Sequence, residues 1–246
     1  LSAPVLVMQS TGGVLPLDNA VNHAVGSVTS GPAGGAMAGA LFARLGDESH
    51  LVTYDMGGTS TDICLIEGRV PLERQATQLD EVKIAVSALD ISALGAGGGS
   101  IAWIDPGGIL SLGPHSAGAV PGPACYGRGG ERPTLTDANL VLGLIAPETF
   151  LGGRLALDRE LAREAVQTHI AEPLGLSVEA AAQAVNALAS ANIAEGIRAN
   201  TVRRGLDPRD FALVAFGGAG PLHAADIACE VGVARVIVPP VPGLFS

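Results

Sequence analysis

Glycine in this chain is concentrated at the ends of short apolar segments. The 246 residues include 34 glycines and 16 prolines, which gather in places such as residues 95–99 and 217–220. A short apolar run that ends in glycines is typical of a strand followed by a tight turn. The pattern therefore predicts an α/β chain of short strands and helices, and no internal repeat is visible.

Two parts of the chain have the spacing of small sheet units. Three apolar runs joined at glycine turns predict an antiparallel meander, at residues 51–55, 61–67 and 69–72. Near the C-terminus, a strand, a helix and a closing strand predict a βαβ unit, at residues 211–216, 222–231 and 234–239. Residues 107–133 are rich in glycine and proline, and we expect them to form a long irregular loop that lines a site.

Capping residues and helical spacing predict four further helices. The first starts near Thr29 and Ser30 with Pro32 in its first position, and it ends before Gly46. The others are a short helix from a Thr136 cap to about residue 144, a helix over 157–174 capped by Asp158, and an alanine-rich helix over 177–202. On the last helix, Asn192 and Gly196 are expected to share a face of small side chains.

Charge argues against a nucleic-acid partner. Fourteen basic residues against 24 acidic ones leave a formal net charge of −10, and Lys83 is the only lysine. Such a chain offers no broad basic face to neutralise a phosphate backbone. Charged residues or glycine and proline also interrupt each apolar stretch before it could cross a bilayer, so no membrane partner is expected.

The cysteines indicate the cellular compartment of the protein, and the first residue indicates whether the sequence is part of a longer chain. Cys64, Cys125 and Cys229 are far apart and form no CxxC pair, which argues against a disulfide framework and a structural zinc site. A reducing cytoplasm fits this usage. The chain begins at Leu1 without a methionine or a signal-like segment, and we expect it to be part of a longer protein.

Several common catalytic motifs are absent from the sequence. It contains no GxxxxGK[ST] phosphate loop, no GxGxxG, no GxSxG nucleophile elbow and no HExxH. Its five histidines are scattered, whereas a metal site needs clustered ligands. The glycine turns are therefore the remaining candidates for the chemistry of this chain.

The first of these turns lies in the segment from Asp55 to Asp62. Its glycines allow backbone N–H groups to face an anion, and its hydroxyls add donors, at Gly57, Gly58, Thr59, Ser60 and Thr61. The two aspartates would repel a bare phosphate, so they suggest a bridging Mg²⁺ ion. The alternative is a simple hairpin with surface carboxylates, and the sequence leaves it open.

The second turn, with Gly217, Gly218, Ala219 and Gly220, follows a buried strand and starts a helix. Glycine lets the backbone lie flat against a planar base or ribose at such a turn. Two glycine turns at strand ends, far apart in sequence, together suggest a nucleotide held between two lobes.

Seven segments of the chain, in the same order, resemble the hydantoinase A/5-oxoprolinase family, at residues 7–13, 30–35, 55–62, 95–100, 121–127, 136–140 and 216–224. That family includes ATP-dependent N-methylhydantoinase, 5-oxoprolinase and related subunits of acetone and acetophenone carboxylases. The resemblance implies ribonuclease-H-like lobes of the actin, heat-shock 70 and sugar kinase ATPase superfamily. The family also carries an earlier Asp-x-Gly-Gly-Thr hairpin, and this sequence has no second copy of it. Residues 1–246 are therefore expected to be a central domain that lacks the first phosphate-loop lobe.

The resemblance also implies roles for individual residues. Asp55 and Asp62 would hold Mg²⁺ and its water or the attacking group, the hairpin at 57–61 would bind phosphate, and the turn at 217–220 would bind adenosine of ATP. The helix with Asn192, Ile193 and Gly196 would connect the lobes. A weaker hypothesis places residues 95–100, His115 and the Cys125–Tyr126 region on the substrate side, with a purely structural loop as the alternative.

The function that follows is ATP-dependent hydrolysis of a cyclic amide, hydantoin or 5-oxoproline, by phosphorylation of the carbonyl oxygen. A hydantoinase B-like subunit or domain would complete the ring opening, and a homo-oligomer is compatible with the sequence. Two alternatives stay open. One is an ATP-dependent acetone or acetophenone carboxylase subunit, and the other is a non-catalytic actin-like nucleotide switch.

Overall fold

The computed structural model describes residues 3–79 and 82–245. It confirms a mixed α/β chain. The fourteen strands among the described residues are β1 (Leu6–Met8), β2 (Val14–Pro16), β3 (His50–Met56), β4 (Thr61–Glu67), β5 (Val70–Pro71), β6 (Glu73–Arg74), β7 (Thr77–Leu79), β8 (Val82–Ile84), β9 (Ala88–Leu89), β10 (Ile91–Leu94), β11 (Ser100–Ile104), β12 (Leu110–Ser116), β13 (Ala212–Phe216) and β14 (Val236–Ile237).

The α-helices in the described part of the chain are α1 (Leu17–Asn22), α2 (Ser30–Leu45), α3 (Leu135–Val141), α4 (Arg159–Val166), α5 (Glu172–Leu174), α6 (Val178–Val202) and α7 (Gly220–Val231). A π-helical turn, Gln167–Ala171, joins α4 to α5, so the helix predicted over 157–174 is continuous but irregular. None of the described helices is long and apolar enough to span a membrane.

The central sheet has six strands. Its order is β10-β4-β3-β13-β14, and β5 pairs with β4. Strands β3, β4 and β5 are the predicted antiparallel meander, and β13, α7 and β14 are the predicted βαβ unit. β13 runs parallel to β3, with Phe216 opposite Asp55, so these two strands end side by side.

Helices cover both faces of this sheet, as the alternation of side chains along β3 requires. Leu51 packs with Ala40 and Ala43 of α2 on one face. Val52 and Tyr54 face the other way and belong to the larger cluster that includes Ile193 of α6 and residues of α7. The result is a three-layer arrangement of helix, sheet and helices.

Two helical glycines allow these layers to approach closely. A Cβ at Gly39 of α2 would overlap Thr53 of β3, and one at Gly196 of α6 would overlap Leu94 of β10. Asn192, one helical turn before Gly196, is exposed at the edge of this buried face. Four residues advance a helix by slightly more than one turn, so Asn192 is rotated by about 40° from Gly196 and the two positions lie on almost the same face.

Three sequence expectations need correction. Residues 110–116, predicted as irregular, form β12, which pairs only with β11 among the described strands; an edge strand tolerates Pro114. The short helix predicted from Thr136 is capped two residues earlier, by Thr134. There the Asp137 side chain completes a capping box, so the cap and its acidic partner are three residues apart. Pro32 is the third residue of α2 rather than the first.

Candidate functional site

A cleft of about 590 Å³ lies where the parallel strands β3 and β13 end. In α/β sheets, ligands bind in crevices at the carboxyl ends of such strands. Both predicted glycine turns contribute to the cleft. The residues that line it are Gly57, Gly58, Gly98, Tyr126, Thr136, Asn139, Leu144, Ile145, Ala146, Thr149, Phe150, Leu151, Gly217, Gly218, Ala219, Pro221, Leu222, Pro242 and Gly243.

The turn after β3 is open at its tip. The Gly57 N–H donates to the Ser60 carbonyl at 3.1 Å and closes the hairpin. A Cβ built on Gly57 or on Gly58 would meet no atom within 4 Å, and neither residue has a positive φ. The packing of the protein therefore does not require glycine at these two positions.

The turn after β13 joins the end of β3 through its backbone. Gly217 has a φ of +83°, and a Cβ there would overlap the Asp55 carboxylate and the Met56 carbonyl. The Ala219 N–H donates to the Met56 carbonyl at 2.9 Å. Gly218 is different: it has no positive φ, and a Cβ would meet nothing within 4 Å.

A third glycine segment, residues 97–99, packs against the first turn and forms hydrogen bonds with its backbone. The N–H groups of Gly98 and Gly99 donate to the carbonyls of Gly57 and Gly58 at 3.0 and 2.6 Å. A Cβ at Gly97 would lie 2.7 Å from backbone atoms of Thr59. The glycines of this run therefore allow two backbone segments to pack in direct contact, and Gly98 also reaches the cleft.

Asp55 and Asp62 lie directly opposite each other on β3 and β4, so both side chains extend from the same face of the sheet. Burial, and to a smaller extent the charge of Asp55, raise the pKa of Asp62 to about 6. Neither residue is among those that line the cleft, but Asp55 contacts the Gly217 position at its margin. A carboxylate pair whose mutual repulsion raises a pKa is stabilised by a cation.

The remaining predicted site residues occupy different surroundings. Thr59 is exposed and Ser60 is half-buried beside the open turn. Thr61 is buried, and its hydroxyl donates to the Ala96 carbonyl at 2.5 Å. Gly220 begins α7 on the core side, where its carbonyl accepts a hydrogen bond from the Tyr54 hydroxyl.

Below the cleft lies a buried polar network. The Asn139 amide nitrogen is 3.3 Å from His223 Nε2, and the Asn186 amide donates to Asn139 Oδ1 at 2.7 Å. Ser190 Oγ lies 3.3 Å from His223 Nδ1. Because an amide nitrogen can only donate, His223 Nε2 accepts, which fits the neutral ring. Burial lowers the pKa of His223 to about 4.

Sequence reasoning missed one whole wall of the cleft, which we call the apolar wall and define as Leu144, Ile145, Ala146, Thr149, Phe150 and Leu151. These residues show no helical or strand periodicity, and the only signal is apolar residues between Gly143 and Gly152. Of the weaker candidates, Tyr126 lines the cleft. His115 is exposed on β12, and Cys125 is fully buried, where desolvation raises its pKa.

Comparison with known families gives a match over the entire sequence. The family model described as Hydantoinase/oxoprolinase matches residues 1–246. Among curated relatives, the caprolactamase subunit alpha of Pseudomonas jessenii is 44% identical over 97% of this chain. The 5-oxoprolinase 1 of Arabidopsis thaliana is 36% identical over 98% of it. The chain spans 34% and 20% of the lengths of these two relatives.

Solved structures match as well. The nucleotide-free structure of acetone carboxylase, described for its ATP-dependent acetone carboxylation, superimposes with a TM-score of 0.89 at 31% identity. The superposition covers 98% of this chain and 34% of the acetone carboxylase chain. The ATP-dependent caprolactamase of Pseudomonas jessenii gives a TM-score of 0.86 at 41% identity, over 99% of this chain and 36% of that one.

Proposed function

The chain belongs to the hydantoinase/oxoprolinase family, and from that premise we propose that it is the nucleotide-binding part of an ATP-dependent enzyme that hydrolyses cyclic amides. Hydantoin, 5-oxoproline and caprolactam are the substrate candidates. One observation carries the proposal: two glycine turns, 160 residues apart in sequence, line one cleft at the ends of adjacent parallel strands.

The glycines of that cleft support a ligand that comes close to the backbone. Gly57, Gly58 and Gly218 need to be glycine neither for a positive φ nor for contact with neighbouring protein atoms. A bound phosphate chain and nucleoside would supply the missing reason, because a Cβ would occupy the space of the ligand. The start of α7 at the second turn adds a helix dipole that favours an anion.

Asp55 and Asp62 are suited to hold Mg²⁺. In nucleotide sites this ion is bound by one or two carboxylates together with phosphate oxygens and water. The two side chains extend from opposite positions of β3 and β4, and burial with mutual repulsion raises the pKa of Asp62. Mg²⁺ held by these carboxylates would neutralise phosphate charge, and Asp55 lies beside Gly217 of the second turn.

The chemistry requires activation because an amide carbonyl is a poor electrophile. ATP supplies a phosphoryl group to the carbonyl oxygen, which turns that oxygen into a leaving group. This chain contributes positioning and charge compensation, the two effects that dominate phosphoryl transfer. We assign residues 1–246 to a central domain, with the first phosphate-loop lobe and the ring-opening step on other segments or on a hydantoinase B-like partner.

A ketone carboxylase subunit is the second candidate, and the observation that favours it is the TM-score of 0.89 with acetone carboxylase. The nucleotide cleft is compatible with both reactions, since each uses ATP to activate an oxygen.

The test is substrate-stimulated ADP formation by the intact protein with its partner. We expect stimulation by caprolactam, 5-oxoproline or hydantoin without bicarbonate. Stimulation only by acetone or acetophenone with bicarbonate would select the carboxylase. If no compound stimulates ATP turnover and ATP instead drives assembly seen by light scattering, the enzyme proposal fails.

A variant pair connects this activity to the carboxylates. Asp55→Ala should abolish turnover while circular dichroism stays that of the folded protein. Asp226→Asn, which changes an exposed carboxylate on α7, is the matched control and should keep full activity. Turnover retained by Asp55→Ala would remove the Mg²⁺-binding role from this residue.

A further inference from the structure

The two parts of the cleft differ in chemistry. One part is backbone, from the glycine turns at 57–58 and 217–218, with the Thr136 hydroxyl nearby. The other part is the apolar wall defined above. None of the described residues that line the cleft has a charged side chain. The cleft therefore suits a molecule with a charged chain at the hairpin turn, residues 57–58, and an uncharged body against the second turn and the apolar wall.

The apolar wall includes large hydrophobic side chains that are exposed to solvent. Leu144 is 46% exposed and Leu151 is 63% exposed, and both line the cleft. Leu151 also has a positive φ of 51°, a conformation that costs a non-glycine residue energy. Neighbouring exposed apolar side chains in a concave surface mark a binding site, because apolar contact area lost from water stabilises the bound state.

An aromatic pair forms one side of this wall. The rings of Tyr126 and Phe150 are 5.7 Å apart at an interplanar angle of 48°, and both residues line the cleft. Planar heterocycles pack on such side chains, so the loss of one of these rings should weaken binding of a base.

We infer that the apolar wall, with Tyr126, is the surface on which the base of the nucleotide packs. This inference rests on the proposed function, since it assumes that a nucleoside triphosphate occupies the cleft. It assigns Phe150 and Leu151 to recognition of the base and leaves the phosphates to the hairpin. The cyclic amide would then bind elsewhere, near the end of the phosphate chain.

The experiment compares ATP with two ligands that each represent one part of it, the nucleoside or the phosphate chain. Affinities for ATP, adenosine and inorganic tripolyphosphate, each with Mg²⁺, are measured by calorimetry on the intact protein. We expect Phe150→Ala and Leu151→Ser to weaken ATP and adenosine binding about tenfold. Both variants should leave tripolyphosphate binding within twofold of wild type.

Leu45→Ser is the matched control for Leu151→Ser. Leu45 ends α2, is 73% exposed and lies outside the cleft, so all three affinities should stay unchanged. Thermal midpoints without ligand identify any variant that fails to fold. If Phe150→Ala fails to fold, Leu151→Ser still tests the inference.

The outcomes separate the inference from the proposed function. If wild type binds neither ATP nor tripolyphosphate, the proposed function fails. If wild type binds ATP but both folded wall variants bind ATP and adenosine normally, the inference is wrong. A higher KM for the cyclic amide with unchanged ATP affinity would also overturn it, because the wall would then hold the substrate ring.

Discussion

The glycine run at 97–99 and the glycine turn at 57–58 are in direct contact, but the fold needs only the first of them to be glycine. A Cβ at Gly97 would lie 2.7 Å from the backbone of Thr59, whereas one at Gly58 would meet nothing within 4 Å. The same contrast separates Gly217 from its neighbour Gly218. Gly97 and Gly217 are therefore required by packing, whereas Gly58 and Gly218, which line the cleft, leave open space that a ligand could fill.

The largest effect is expected for Gly97→Val. The new side chain would overlap backbone atoms of the hairpin, which cannot move aside as the end of a flexible side chain can. We expect a loss of about 3 kcal/mol or more of unfolding free energy, measured by denaturant titration. The control Gly58→Ala should change stability by less than about 0.5 kcal/mol. Equal losses in the two variants would break the contrast.

Gly217→Ala should have the next largest effect. A Cβ at this position combines a positive φ with overlap of the Asp55 carboxylate and the Met56 carbonyl. We expect a loss of about 1–3 kcal/mol, again from chemical unfolding without nucleotide. A stability equal to that of wild type would mean that the close approach of β13 to β3 is not as tight as the geometry indicates.

The third prediction concerns pH. The pKa of Asp62 is raised from 3.8 to about 6 in the folded protein, so the folded state binds more protons between these values than the unfolded state does. Stability from this group therefore falls as pH rises from about 4 to 6. Asp62→Asn removes this dependence of stability on pH. The unfolding free energy of the variant minus that of wild type should therefore increase as pH rises from about 4 to 6. The lowered pKa of His223 acts with the opposite sign but is common to both proteins.

A flat difference across that range would show that Asp62 titrates near its ordinary pKa. The measurement is a series of urea titrations between pH 4 and pH 7 on the two proteins. Mg²⁺ and nucleotide are left out, because bound cations would stabilise the carboxylate form and shift the window downward.

Sequence reasoning recovered the parts of the fold that local patterns determine. The meander, the βαβ unit and the helix cap at Asp158 follow from apolar spacing and capping chemistry, and the structure confirms them. Strand β12 was missed because Gly113 and Pro114 look like loop residues, and only its partner β11 makes it a strand.

The candidate site also has parts that local sequence patterns predict and parts that only tertiary packing creates. The two glycine turns were found because each follows an apolar strand, but their meeting in one cleft depends on the pairing of β3 with β13. The apolar wall was missed because Phe150 and Leu151 belong to an aperiodic segment, and tertiary packing alone brings them to the cleft. The hydrogen bonds from residues 98 and 99 to the hairpin are long-range contacts, which the sequence alone does not show.

The most direct test of the central claim is Gly218→Val in the intact protein. Gly218 is exposed, has no positive φ, and a Cβ there would meet nothing within 4 Å, so the thermal midpoint without nucleotide should stay within about 2 °C of wild type. The affinity for ATP with Mg²⁺, measured by calorimetry, should fall at least about tenfold, because the β-branched side chain occupies the nucleoside position. An unchanged affinity in the folded variant would contradict the claim that a nucleotide lies against this turn.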